Sequence, residues 1–210
     1  MPEGSQSKTG ARIGRPVDAD ADLTRMRILA AARTAFGELG YAATTYRLLA
    51  DRTGLAPSAL YNYFSSKSDL YEAVYREVQM EAYGEWVLPA IDGTTTFSAR
   101  LDALLTAAAQ LNEASPEAAR FLAVVRADAA RHEELARLDE ELPRQRTELY
   151  GELVDLGIRT GEIPAESRES VMALLETMGV GLVEMSSQPE LHRAAVASFR
   201  ALLTRAFTSQ

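Results

Sequence analysis

The sequence contains no cysteine, two histidines and one tryptophan. Without cysteine there is no disulfide framework, no thiol nucleophile and no thiolate zinc site, and two lone histidines, His132 and His192, cannot form a histidine cluster. Metal and cysteine chemistry are therefore excluded, and no cofactor is expected. Long hydrophobic runs are missing too. No segment approaches the roughly 18 to 20 uncharged residues that a membrane span needs, and the N-terminus MPEGSQSKTGARIGRP lacks the apolar stretch of a signal peptide. A cytoplasmic protein with no membrane partner is expected. No nucleophile elbow, phosphate loop or metal-ligand pair occurs, so the sequence carries no enzymatic signature. Positive charge is scarce as well: 22 Lys and Arg face 30 Asp and Glu, for a net charge of −8. Such a balance argues at first against nucleic acid, whose binding is dominated by basic side chains.

The charge is unevenly spread. Residues 1–80 hold 10 Lys and Arg against 9 Asp and Glu, whereas residues 81–210 hold 12 against 21. A near-neutral head on an acidic body suits DNA binding through one end, the body being repelled from phosphates. With 210 residues, 47 % of them hydrophobic, the chain can build one or two cores.

Residues 1–20 are rich in Gly, Ser, Pro and Asp without apolar periodicity and read as a flexible arm, in which Arg12, Arg15 and Pro16 either enter a minor groove or form a plain tail. From Asp22 onward apolar residues recur at three and four, the helical period, and strict strand-like alternation is missing. About nine helices and no sheet are expected. The first carries Ile28, Leu29, Ala32, Phe36 and Leu39 on one face and stops at Gly40. The second starts at Thr44 or Thr45, whose hydroxyl caps the first turn, buries Leu48 and Leu49, and ends before Gly54. The third opens at Pro57 and turns Leu60 inward. Ser66 and Asp69 form a capping pair for a long fourth helix. Further helices are expected over 97–111, 116–130, 135–156, 166–187 and 189–207, separated by Ser115-Pro116, Gly161-Glu162-Ile163-Pro164 and Gln188-Pro189.

Two short helices joined by a glycine-containing turn and buttressed by a first helix are the arrangement that lays the last short helix in a major groove. Residues 45–63 have that spacing, and Pro57-Ser58-Ala59-Leu60-Tyr61-Asn62-Tyr63 is small at its start and aromatic and amide-bearing further on, suited to phosphates and base edges. The pattern Gly40-Tyr41, Thr44-Thr45, Leu49-Ala50, Gly54-Leu55, Leu60-Tyr61, Phe64 and Ser66-Lys67 closely resembles the DNA-binding region of the tetracycline-repressor (TetR-like) family of bacterial regulators. The resemblance implies an N-terminal three-helix DNA-binding domain with a helix-turn-helix (21–67), and a larger helical ligand-binding and dimerisation domain (68–210). It implies DNA contacts from Thr45, Tyr46, Arg47, Pro57, Ser58, Ala59, Tyr61, Asn62, Tyr63 and Lys67. It also implies a homodimer through the last two helices (about 166–207), bound to a double-stranded palindromic operator as a repressor. Two positions depart from the family: Ala56 stands where a capping serine is usual, and Ser58-Ala59 where many relatives have Gly followed by Thr or Ser.

The body carries more apolar residues than one helix face can hold. Small residues Gly179, Gly181, Ser186, Ala194, Ala195 and Ser198 let the last two helices approach a partner, or alternatively build an intramolecular core. Deformable side chains and a few polar groups on apolar stripes suggest a pocket for a small apolar effector, with Trp86, Phe97, Asn112, Phe121, Val125, Asp128, Tyr150, Met172, Leu175 and Met178 as candidate lining. The alternative is that the polar members satisfy one another or reach the surface. Two rivals stand beside the regulator: a helical enzyme using Asp128, Glu176 and His132, which no motif supports, and a helical adaptor that binds protein and no DNA.

Overall fold

The computed structural model describes residues 17–208, and the basic arm at 1–16 lies outside them. Ten α-helical segments follow one another: α1 (Val17–Ala43), α2 (Tyr46–Thr53), α3 (Pro57–Tyr61), α4 (Lys67–Glu81), α5 (Leu88–Ile91), α6 (Phe97–Ala114), α7 (Pro116–Arg131), α8 (Ala136–Thr160), α9 (Arg168–Met185) and α10 (Pro189–Thr208). A π-helical turn, Ala82–Val87, joins α4 to the single turn of α5, and no strand occurs among the described residues. The expected all-α architecture is borne out. The first helix begins at Val17 rather than near Asp22, so the last residues of the expected arm are helical.

Local chemistry explains the element ends. Gly40 breaks α1 at φ 77° and ψ 175°, and Gly54 ends α2 at φ 70°. Both lie in the left-handed region that a Cβ disfavours. The Thr45 hydroxyl accepts the Leu48 N–H at the start of α2, and Ser66 accepts the Asp69 N–H at the start of α4. At α3 the capping residue is Ala56, which offers no side-chain acceptor, and Pro57 occupies the first turn instead. Arg27 donates to the Thr53 carbonyl at 2.7 Å, satisfying an orphan acceptor at the end of α2.

Two apolar cores result. The first gathers Ile28, Leu29, Ala32 and Phe36 of α1 with Leu49, Leu60, Leu70, Tyr71 and Val74, and it takes in Phe121, Val125 and Ala129 of α7 and Leu138 of α8. Leu39, expected on the same stripe, is 45 % exposed where the chain turns away at Gly40. Tyr71 sits at the centre, with ring centroids 4.7 Å from Phe36, 5.3 Å from Tyr41 and 5.0 Å from Phe121. Pairs of this kind add about 0.5 to 1.5 kcal/mol beyond area burial. The second core packs Phe97, Leu101 and Leu105 of α6 against Leu153, Val154, Leu175, Met178, Leu182 and Val196. The N-terminal three-helix head therefore shares its core with α7, and no break in packing marks the expected boundary at residue 67.

Candidate nucleic-acid interface and ligand cavity

The head presents one compact exposed surface. Thr45, Arg47, Pro57, Ser58, Tyr61 and Asn62 are exposed on and beside α2 and α3, while Ala59 and Tyr63 are half-buried, Tyr63 packing against the first core. Tyr61 is 57 % exposed, and its ring stands edge-on to Tyr46 with centroids 4.4 Å apart. Small residues at the start of α3 leave its backbone open to close approach by a phosphate.

Two expected contact residues make hydrogen bonds within the head. Tyr46 is buried, and its hydroxyl lies 2.9 Å from the Phe64 carbonyl and 2.8 Å from the Ser66 carbonyl, so it ties α2 to the α3–α4 turn. Burial pushes its phenol up to about 12. Lys67 turns back onto the end of α1: Nζ donates to the Tyr41 carbonyl at 2.8 Å and lies 4.1 Å from the centroid of the Tyr41 ring. Burial holds this ammonium below its ordinary value, against the opposing pull of Glu134 and Asp128. DNA contact is expected of both from the motif, and in the free head both end on backbone acceptors.

The expected ligand residues do not converge on one place. Asp128 is buried, and its Oδ2 accepts the Tyr41 N–H at 2.9 Å and the Tyr71 hydroxyl at 3.0 Å. It is a strut between α7 and the head, the outcome in which a polar group on an apolar stripe is satisfied internally, and it borders a separate cleft with Gly40, Ala42 and Arg131. Phe121 belongs to the first core. Phe97, Leu175 and Met178 line an apolar cleft with Leu174, Phe199 and Leu202, next to the faces of α9 and α10. Met172 packs on the second core. Trp86 and Asn112 are orphans: the Trp86 Nε1 and Asn112 Oδ1 atoms are buried without a hydrogen-bond partner among the described residues.

Of the expected set only Val125 and Tyr150 line the partly open cavity of about 200 Å³ between α4, α7, α8 and α9, which Tyr83 of the π-helical turn also borders. Its walls are Leu122, Leu142, Leu149, Val180 and Val183. Its polar groups were missed by sequence reasoning. The Tyr75 hydroxyl donates to Gln145 Oε1 at 2.8 Å, and Gln79 Nε2 donates both to that hydroxyl at 2.8 Å and to Gln145 Oε1 at 3.0 Å, closing a triangle. Burial pushes the Tyr75 phenol up to about 12. Arg126, Arg146 and Glu184 complete the lining. Tyr150 lies across α9 at Gly179, where a Cβ would fall 1.8 Å from the Tyr150 hydroxyl, so only glycine admits the ring there. The one available signal was the i, i+4 spacing of Tyr75 and Gln79 on an otherwise apolar face of α4.

A capped α2, a left-handed glycine turn and a short exposed α3, buttressed by α1 and fused to a helical body with an internal cavity, define a helix-turn-helix transcription regulator. Residues 28–74 match the model of the bacterial regulatory proteins, tetR family. The likeness to that family lies in the DNA-binding head by sequence, and the rest of the chain is similar to solved structures in fold. It is 27 % identical over 145 residues, 68 % of this chain and 69 % of the relative, to the HTH-type transcriptional repressor KstR2 of Rhodococcus jostii. Over 55 residues, about a quarter of each chain, it is 44 % identical to an uncharacterized HTH-type transcriptional regulator of Mycobacterium tuberculosis. Its fold matches that of a TetR-like transcriptional regulator from Rhodococcus sp. RHA1 with a TM-score of 0.69 at 18 % identity, covering 95 % of this chain and all of the other. No helix among the described residues is long and apolar enough to cross a membrane.

Proposed function

We propose that the protein is a homodimeric repressor that reads a palindromic DNA operator through α3 and is released from it by a small effector held in its helical body. The observation that carries this reading is the strut at Asp128, which joins the head to α7, itself a wall of the cavity. A ligand that favours another position of α7 shifts the head through that strut and the shared core, which is a population shift between two spacings of the recognition helices. DNA binding requires the two copies of α3 to stand about 34 to 36 Å apart, one turn of duplex.

DNA contacts fall to Thr45, Arg47, Pro57, Ser58, Ala59, Tyr61, Asn62 and Tyr63. Dimerisation uses the outer faces of α9 and α10, where Leu174, Leu191 and Leu202 are 62 %, 47 % and 61 % exposed, an apolar display that a two-fold four-helix bundle would cover. On this reading residues 21–67 form the reading head and 68–210 the sensing and pairing body, although the core runs across the join. Selection of duplex DNA on the purified protein tests it. A palindromic site bound by the wild type and weakened by Arg47→Ala with Tyr61→Ala supports the regulator. An enrichment of no sequence at low salt favours the adaptor that binds protein alone.

A further inference from the structure

The cavity and its mouth differ in charge. Gln79, Tyr83, Gln145 and Leu149 line both the cavity and a wider, more open cleft beside it. The opening adds Met80, Glu148 and Glu152, and no Lys or Arg is among its lining residues. Glu148 and Glu152 are four apart on α8, one above the other on the same face. The cavity itself is lined by Arg126 and Arg146, with Glu184 as its one carboxylate. Arg126 pairs with Glu184 at 3.4 Å. Arg146 is held less well: its Nε is buried with no hydrogen-bond partner among the described residues, and the nearest carboxylate oxygen, on Glu176, stops at 3.7 Å. Glu176 is itself anchored by the Thr147 hydroxyl at 3.0 Å. An arginine in the cavity lining, a quarter exposed but with its Nε buried and short of an acceptor, together with apolar walls and two carboxylates at the wider opening, imposes a direction on whatever enters.

We propose that this cavity takes a compact carboxylate on an apolar body, inserted carboxylate first towards Arg146, and rejects amphiphiles whose bulky anionic head would stay beside Glu148 and Glu152. The inference rests on the reading of this cavity as the effector site. Size agrees: about 200 Å³ lies below the roughly 300 to 1,000 Å³ of pockets for drug-sized ligands, so the occupant is small. The apolar body lies on Leu122, Leu142, Leu149 and Val180, and the polar triangle of Tyr75, Gln79 and Gln145 stays intact.

Calorimetric titration of the full-length protein with hexanoate, octanoate, decanoate and phenylpropionate, beside methyl octanoate, octylamine and octanoyl coenzyme A, tests the proposal. At least one free acid is expected to bind once per protomer, with the ester, the amine and the thioester at least about tenfold weaker than octanoate. Arg146→Leu is expected to weaken the acids by about tenfold or more, Arg146→Lys to recover part of that loss, and the ester to bind both variants as it binds the wild type. Glu148→Gln with Glu152→Gln is expected to improve the thioester and leave the acids unchanged at high salt. Binding by none of the acids, ester or amine binding as tight as the acid, equal binding by Arg146→Leu, or preference for the thioester would each overturn the proposal. The selected DNA duplex separates the two readings. An acid that binds as expected without releasing DNA leaves the ligand class standing and defeats the effector role, whereas release by neutral or cationic compounds alone does the reverse.

Discussion

Replacing Asp128 by alanine removes the acceptor for two buried donors at once. The Tyr41 N–H and the Tyr71 hydroxyl both end on Oδ2, and neither can turn to water, because Tyr71 is fully buried and Tyr41 is 3 % exposed. Each unpaired buried donor costs about 1 to 3 kcal/mol, so Asp128→Ala is expected to cost about 2 to 5 kcal/mol after partial relaxation. In a chain of this length that lowers Tm by roughly 5 to 15 °C, measured at fixed protein concentration because association also shifts Tm. Asp128→Asn behaves differently. Since one oxygen takes both bonds, an amide carbonyl placed there keeps both, and the cost falls to about 1 kcal/mol of lost charge assistance. Tyr71→Phe leaves Asp128 with the Tyr41 N–H, and combined with Asp128→Ala it relieves an unpaired hydroxyl, so the double variant is more stable than the two separate losses add up to. Calorimetric melting of the four proteins decides the matter. Asp128→Ala melting within roughly 2 °C of wild type, or Asp128→Asn being as damaging as alanine, would refute the strut.

The head yields a contrast between two cations. Arg47→Ala is expected to reduce the salt slope of operator binding by about one without changing Tm, whereas Lys67→Ala lowers stability by about 1 kcal/mol and leaves the slope nearly unchanged. Salt titration beside a melting curve distinguishes them. Gly179→Ala, which in an open helix would gain up to about 1 kcal/mol, is expected to destabilise instead, because the Tyr150 hydroxyl must leave its place on α9; Tyr150→Phe in the same chain recovers part of the loss. Acid should weaken the start of α6. Burial pushes the Glu162 carboxyl up, but hydrogen bonds from Ser98, Thr160 and the Phe97 N–H outweigh it and leave the group below the usual carboxylate range. Its stabilisation is thus full above the unfolded value near 4.3 and is lost as pH falls through the lower folded value, and Glu162→Gln flattens that part of the stability curve. His192 acts at milder pH: burial holds its imidazole below the ordinary value. The unfolded chain therefore takes up the proton first below about pH 6.5, and stability present above that point declines towards the folded value, a slope that His192→Gln removes.

The helices and the reading head were legible in the sequence because their signals are local. Thr45, Gly54, Pro57 and Ser66 act on backbone groups within a turn of themselves, and a stripe such as Ile28, Ala32 and Phe36 needs only the helical period to declare a buried face. The sequence by itself therefore determined an all-helical chain with a helix-turn-helix at 45–63. It did not determine where a buried polar group ends. Tyr46 and Lys67 sit at motif positions that suggest DNA, yet carbonyls of Phe64, Ser66 and Tyr41 receive them. Asp128 lies on a helical stripe that tells only that it faces inward, and its donors come from residues 57 and 87 positions away. The cavity is a further case, for its lining is drawn from α4, α7, α8 and α9, and a period read along one helix cannot say which of two cores or which cavity its inner face meets. Only the tertiary structure decided that, because pairing over such separations is set by how the helices pack and not by the residues next in line.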